Sequence, residues 1–202
     1  LYLYFRNLRG VILPFITVLI SVVWTLGLMG LMGKQLSPLN AVMPVLLVSL
    51  GSAYGIYIIA RYNDELLQGA DKEKAVNQTL KSVGISVLLA GATTIAGFAS
   101  NASSSITLMK DFGLFTAYGV LVALLISLTF IPAMLLLLPV PKKIATQRSN
   151  EQQGVLLTIL ARVAHIVTQK KRQVLMVMAA ILVVALLGIP RLSTDSNFFN
   201  FF

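Results

Sequence analysis

Two uncharged runs, residues 11–33 and 38–60, constrain this chain more than any other feature of its sequence. A membrane-spanning helix needs about 20 consecutive apolar residues, and both runs are long enough. Further uncharged runs follow at 82–102, 112–138 and 174–189. A soluble domain carries roughly 25% charged residues, whereas only 11% of these 202 residues are charged. The sequence therefore predicts an all-α integral membrane protein, a helical bundle of about five complete transmembrane helices.

The runs and the segments between them divide the chain into five predicted parts. Apolar residues at helical spacing within the segment that follows the fourth run predict a helix lying at the membrane surface. The predicted parts are the end of a preceding transmembrane helix with a cytoplasmic turn (1–10), a four-helix transmembrane bundle (11–140), a cytoplasmic linker with an interfacial amphipathic helix (141–172), a transmembrane helix (173–190) and the start of an extracytoplasmic domain (191–202). Both ends of the sequence are interpreted as cuts in a larger protein.

The run at 38–60 contains a group of small residues that includes Gly51 and Gly55. Small residues in a membrane helix let a second backbone come close. We expect this face to pack against the span that contains Gly91 and Gly97, because small residues meet there as well. Pro44 should bend the helix, since proline removes a backbone hydrogen bond.

Thr93 and Thr94 are polar groups inside the run at 82–102. The simpler interpretation is that each hydroxyl donates to the backbone carbonyl four residues earlier. The alternative is that the two hydroxyls line a transport pathway. Both interpretations stay open from the sequence.

Basic residues are distributed unevenly between the two ends of the predicted helices. Thirteen of the sixteen Lys and Arg residues fall in residues 1–10, 61–81 and 139–172, and the others are Lys34, Lys110 and Arg191. Cytoplasmic loops of membrane proteins carry an excess of Lys and Arg. The three basic segments are therefore predicted to be cytoplasmic. The formal charge of +9 is explained by this placement, so nucleic acid is not expected as a partner.

The composition gives no support to an enzyme or a metalloprotein. The chain has no Cys and one His, which excludes a thiolate metal site and a disulfide framework within it. No nucleophile–base pair, phosphate-binding loop or metal-ligand spacing is present. We predict that the protein is not an enzyme and that it uses no cofactor and no metal.

Motifs in three of the runs, taken in order, resemble those of the resistance-nodulation-division (RND) superfamily, and the MMPL-type exporter branch with its sterol-sensing-domain-like bundle is the closest fit. The motifs correspond to the fourth, fifth and sixth helices of that branch. They are Gly51-Ser52-Ala53-Tyr54-Gly55-Ile56 with Arg61-Tyr62 and Glu65, then Thr93-Thr94-Ile95-Ala96-Gly97-Phe98, then Asp111-Phe112-Gly113 with Gly119 and Ile131-Pro132-Ala133.

The resemblance implies an exporter of lipid-like or other hydrophobic substrates in the bacterial cytoplasmic (inner) membrane, driven by an ion gradient. It implies as partners the membrane lipid, a lipid or hydrophobic small-molecule substrate, the rest of the same transporter and possible further copies of it. The polar groups that it places inside the bundle are Ser52, Tyr54, Thr93 and Thr94. Proton-driven members commonly have an Asp where this chain has Ala53. The resemblance therefore implies that the ion is handled by the other half of the transporter.

Two other functions are compatible with the same motifs. A sterol-sensing-domain-like sensor or receptor would use the bundle passively, which suits Ala53. An accessory subunit of protein translocation is a relative of the same superfamily, but this chain continues through a linker into a further span.

The predicted orientation can be tested with single cysteines at Ser104 and Gln147. An impermeant thiol reagent applied to intact cells should label position 104 and leave position 147 unlabelled, because the basic bias places residue 147 in the cytoplasm. Labelling of position 147 from outside would contradict the orientation.

Overall fold

A computed structural model describes residues 9–139 and, further along the chain, residues 162, 167–170, 172–173, 175–176 and 178–179. Residues 1–150 and 151–202 form two separate compact units. In the second unit, residues 167–169, 172–173, 175–176 and 178–179 are helical. The predicted start of the chain, most of the linker, most of the span at 174–189 and the segment after it lie outside the described residues.

Helices make up the regular structure of residues 9–139, where no strand occurs. The α-helices are α1 (Arg9–Leu31), α2 (Met43–Leu67), α3 (Lys72–Thr79), α4 (Ile85–Ala99) and α5 (Thr107–Leu137). Turns of 3₁₀-helix at Asn40–Val42 and Ser100–Ser103 extend α2 and α4. In this part of the chain, four stretches are long and apolar enough to cross a membrane: Gly10–Leu31, Asn40–Leu67, Lys72–Ser103 and Thr107–Leu137. The chain is a multi-pass integral membrane protein, which confirms the predicted fold class.

The helices extend beyond the predicted spans, and their extra turns carry charge. α2 continues to Leu67, past the predicted end at residue 60, and so includes Arg61 and Glu65. α5 begins at Thr107, before the predicted start at residue 112, and so includes Asp111. The charged side chains therefore lie at helix ends, where a membrane helix leaves the hydrocarbon region.

The start of α2 differs from the prediction. Pro44 does not bend the helix, because α2 begins at Met43 and Pro44 therefore lies in its first turn. The first N–H groups of a helix have no partner within it, so the missing N–H of proline is tolerated there. Ser37 prepares this start, since its Oγ accepts a hydrogen bond of 3.2 Å from the N–H of Asn40.

A π-helical turn at Leu80–Gly84 joins α3 to α4, so the two form one continuous stretch. Single π-helical turns inside α-helices often occur at functional positions. Ala75, Val76 and Thr79 are buried on α3. Ala75 and Val76 belong to a core cluster with residues of α1, α2 and α5. α3 therefore packs against one end of the bundle.

Helices α1, α2 and α5 meet at three levels, and each level contains a glycine. A β-carbon added at Gly55 would lie 2.9 Å from the Pro14 ring and 3.0 Å from Ile131 Cδ1. One added at Gly51 would lie 2.9 Å from Val18 Cγ2. The space for these side chains does not exist, so the backbones approach as closely as glycine permits. The three levels are Thr25–Leu47–Gly119, Val18–Gly51–Ala123 and Pro14–Gly55–Ile131.

The predicted pairing of Gly51 and Gly55 with the span of Gly91 and Gly97 is wrong. The nearest atoms to Gly51 and Gly55 belong to α1 and α5. Gly91 makes its close contact with Leu124 of α5, where an added β-carbon would lie 2.6 Å from Cδ2. An added β-carbon at Gly97 would meet nothing within 4 Å among the described residues. Gly51, Gly55 and Gly91 do lie at tight contacts, as predicted. The helix that α2 and α4 both contact through these glycines is α5.

Gly55→Ala should destabilise the full-length protein by about 1–3 kcal/mol, because a methyl group forced into a tightly packed contact displaces its neighbours. The measurement is thermal unfolding of the purified protein in detergent. Gly27→Ala is the matched control, since a β-carbon there meets nothing within 4 Å in the described structure. Equal unfolding temperatures for the two variants would contradict the close contact at Gly55.

Candidate functional site

The four predicted polar residues fall on two helices, Ser52 and Tyr54 on α2 and Thr93 and Thr94 on α4. Ser52 is half-buried, and its hydroxyl donates to the carbonyl of Ser49 at 3.1 Å. Thr93 is exposed, and its hydroxyl donates to the carbonyl of Ala90 at 2.9 Å. Both hydroxyls are satisfied by their own helix. Thr93 bonds to the carbonyl three residues earlier and not, as predicted, to the one four residues earlier.

The structure brings Tyr54 and Thr94 together across α2 and α4. Tyr54 is 5% exposed, and its hydroxyl faces the Thr94 side chain without forming a hydrogen bond to it. Thr94 donates its own hydrogen to the carbonyl of Ala90 at 2.8 Å. Its oxygen keeps lone pairs that can accept from a second hydroxyl. The Tyr54 hydroxyl is therefore a buried donor next to a potential acceptor.

Apolar side chains from three helices enclose the Tyr54 ring. Its core cluster contains Leu47 of α2, Val87 of α4, and Val120 and Leu124 of α5. These contacts hold the ring in place. Ala53, the residue before Tyr54, is half-buried and has no polar side chain. The pair of Tyr54 and Thr94 can exchange hydrogen bonds. It has no carboxylate that could take up a proton.

A second set of buried hydroxyls was missed in the sequence analysis. Thr17, Ser21 and Thr25 on α1 are fully buried, as are Thr116 and Ser127 on α5. The three on α1 recur every fourth residue, a spacing that places them on one helix face and could have revealed them. The two on α5 are eleven residues apart in a mostly apolar run and form no such row.

One end of the bundle carries an ion pair beside the π-helical turn. Arg61 Nη2 lies 2.7 Å from Glu65 Oε1, and Arg61 Nε donates to Ser82 Oγ at 3.2 Å. The Glu65 side chain is 6% exposed. Leu136 lies in the last turn of α5. Its carbonyl accepts a hydrogen bond of 3.0 Å from Lys72 Nζ. These bonds connect α2 to the π-helical turn between α3 and α4, and α3 to the last turn of α5.

The opposite end carries a different ion pair. Gly33, with φ of 65°, follows the end of α1 and turns the chain so that Lys34 reaches the start of α5. Lys34 Nζ donates to both carboxylate oxygens of Asp111 at 3.0 Å. The lysine side chain is 37% exposed, and exposed pairs of this kind contribute about 0–1 kcal/mol. The pair therefore orients the two segments more than it stabilises the fold.

The sequence of this chain is similar to parts of longer membrane proteins. The chain is 33% identical to the putative membrane protein MJ1562 of Methanocaldococcus jannaschii over 137 residues, which are 68% of this chain and 35% of that protein. It is 28% identical to the sulfolipid-1 exporter MmpL8 of Mycobacterium tuberculosis over 206 residues, which cover 96% of this chain and 18% of the exporter. It is 30% identical to the hopanoid transporter HpnN of Rhodopseudomonas palustris over 173 residues, with 86% and 18% covered.

These figures show that the chain spans about a third of the length of MJ1562 and less than a fifth of the two transporters. The profile of the MMPL family matches residues 1–174. The match contains the whole described bundle and all four predicted polar residues. The resemblance seen in the sequence motifs is thereby confirmed, and the chain belongs to the MMPL family.

Proposed function

We propose that the protein to which this chain belongs exports a lipid or another hydrophobic compound across the membrane. The observation that carries the proposal is the family match over residues 1–174, together with similarity to proteins named as a sulfolipid-1 exporter and a hopanoid transporter. The bundle fits such a role, because its four membrane-long stretches are apolar. Its buried polar side chains between the helix ends carry hydroxyls, while the buried Asn40 and Glu65 lie near the two ends of α2. The protein acts as a transporter and not as an enzyme.

The coupling ion, in this proposal, is handled outside the described bundle. Charged groups within membranes usually mark ion pathways. In the described helices the charged side chains lie at the ends, as at Arg61, Glu65 and Asp111, while Tyr54 and Thr94 occupy the interior. Next to Tyr54 is Ala53, at the position where proton-driven members of the RND superfamily commonly have an Asp. Tyr54 and Thr94 then act by exchanging hydrogen bonds during transport, and Ser52 and Thr93 only satisfy their own helix.

A passive sensor is the second candidate. Ala53 favours it, because a bundle without an interior carboxylate has no group that changes charge as the bundle moves. A sensor would bind a lipid without moving it. Transport measurements separate the two functions directly.

Transport of a labelled lipid by the full-length protein in proteoliposomes tests the proposal. With an imposed pH or sodium gradient, the native protein should move lipid between compartments at a rate that depends on the gradient. Ser52→Ala and Thr93→Val should leave that rate unchanged, since both hydroxyls bond only within their helix. Lipid binding without movement would favour the sensor. Loss of gradient-driven transport in either variant, with folding intact, would contradict the assignment of coupling to the rest of the protein.

Tyr54→Phe tests the buried tyrosine hydroxyl. The unfolding temperature should stay the same or rise, because a buried hydroxyl without a partner costs free energy of about 1–3 kcal/mol. The transport rate should fall if the hydroxyl exchanges bonds with Thr94. The control is Tyr57→Phe on the same helix, whose side chain is 61% exposed and which should change neither quantity. A lower unfolding temperature for Tyr54→Phe would show that the hydroxyl has a stabilising partner.

A further inference from the structure

The turn between α3 and α4 has a different backbone geometry from the helices on either side of it. Leu80–Gly84 form a π-helical turn, while α3 and α4 are α-helical. In a π-helical turn each N–H bonds to the carbonyl five residues earlier instead of four, so the turn holds one residue more than an α-helical turn. Closing it to α-helix would therefore displace α3 by one residue, a rotation of about 100° with a shift of about 1.5 Å.

Hydrogen bonds from α2 reach into this turn through Ser82. Arg61 Nε donates to Ser82 Oγ at 3.2 Å, and Ser82 Oγ donates to the carbonyl of Thr79 at 3.3 Å. The guanidinium itself is held on α2, because its Nη2 lies 2.7 Å from Glu65 Oε1. The Arg61–Ser82–Thr79 chain of hydrogen bonds therefore ties the geometry of the turn to the position of α2.

The π-helical and α-helical registers of the turn would bury different residues of α3. In the present register, the buried residues of α3 are Ala75, Val76 and Thr79. After closure of the turn, each residue of α3 would take the place of the residue before it. Asn77, which is exposed now, would take the buried place of Val76. Gln78 would take the exposed place of Asn77, so it faces outward in both registers.

Each register has its own unfavourable contacts. In the present one, Thr79 is 1% exposed and its hydroxyl bonds to no group in the described part of the chain, and rotation of α3 would release it from the core. Against rotation, Asn77 would become buried, and Lys72 would lose its bond of 3.0 Å to the Leu136 carbonyl. Glu73 would take the place of Lys72, and a carboxylate cannot donate to a carbonyl. These opposing terms let a few hydrogen bonds decide between the registers.

We propose that the turn at Leu80–Gly84 is a register switch, which Arg61 holds in the π-helical state through Ser82. Arg61 lies on α2 and Ser82 lies in the turn that leads into α4, so a movement of α2 along α4 breaks the bond between them. The turn then closes to α-helix, and α3 rotates by one residue against the end of the bundle. The switch thus responds to the relative position of the two helices that bring Tyr54 and Thr94 together. It is independent of the substrate and of the coupling ion.

Disulfide trapping in the full-length protein in lipid nanodiscs, in a background without other cysteines, tests the switch. Val76 and Leu135 line one small cavity between α3 and α5. Val76→Cys combined with Leu135→Cys should therefore crosslink in the present register. Asn77→Cys with Leu135→Cys reports the α-helical register, where residue 77 takes the place of residue 76. Gln78→Cys with Leu135→Cys should crosslink slowly in both registers.

Ser82→Ala should release the switch. The rate of crosslinking at positions 77 and 135 should rise at least about threefold, because the substitution removes the hydrogen bonds that hold the π-helical turn. The rate at positions 78 and 135 should not change. Ser86→Ala is the matched control, since Ser86 is an exposed serine on α4 just beyond the turn, and it should change neither rate.

Lys72→Ala provides a second route, because it removes the bond to the Leu136 carbonyl that also favours the present register. It should likewise speed crosslinking at positions 77 and 135. An equal rise at positions 78 and 135 would overturn the proposal, since α3 would then be fraying and not rotating. An unchanged rate at positions 77 and 135 in both Ser82→Ala and Lys72→Ala would overturn it as well.

Discussion

The close contact of α1, α2 and α5 at Gly51, Gly55 and Gly119 is the constraint on which the rest of the bundle depends. Apolar side chains gain little by leaving lipid for one another, so membrane helices associate through tight packing and hydrogen bonds. Glycine permits that packing by leaving no side chain between the backbones. At Gly55 the opposing group is the ring of Pro14, which cannot rotate away. Glycine is therefore required at position 55, because any larger residue would place its β-carbon against the rigid Pro14 ring.

This contact fixes the register of three helices and so determines which polar groups become interior. At the Thr25–Leu47–Gly119 level, the Thr25 hydroxyl of α1 lies against Gly119 of α5. Helix α4 contributes no residue to the three levels and packs on α5 through Gly91 and Leu124. This packing places Thr94 next to the Tyr54 hydroxyl. Thr93, one residue earlier, is exposed. Adjacent threonines with the same sequence pattern thus receive different surroundings from one packing contact.

The sequence predicts the fold class well because the bilayer leaves few choices. A long uncharged run must satisfy its backbone internally, and a helix does so. Small residues likewise indicate tight contacts, as Gly51, Gly55 and Gly91 show. They do not indicate the partner, because a glycine face belongs to one helix whereas its neighbour depends on how all the helices are arranged. Gly97 has the same residue pattern as Gly91 and meets nothing within 4 Å in the described bundle. Ser127 was missed for a related reason, since a buried serine that does not bond to its own helix has the same sequence pattern as one that does.

Polar groups are sorted by type along the bundle, and this sorting limits how the described unit can respond to an ion gradient. Ion pairs lie at the two ends, Lys34 with Asp111 and Arg61 with Glu65, while hydroxyls occupy the interior. A hydroxyl can exchange hydrogen-bond partners without changing its charge, so movement of the helices past one another does not bury a new charge, which would cost several kcal/mol. A gradient, however, acts only on groups that bind or release charge. In the proposed transporter, the described interior therefore transmits a movement, and the charge that drives it is bound outside the described bundle.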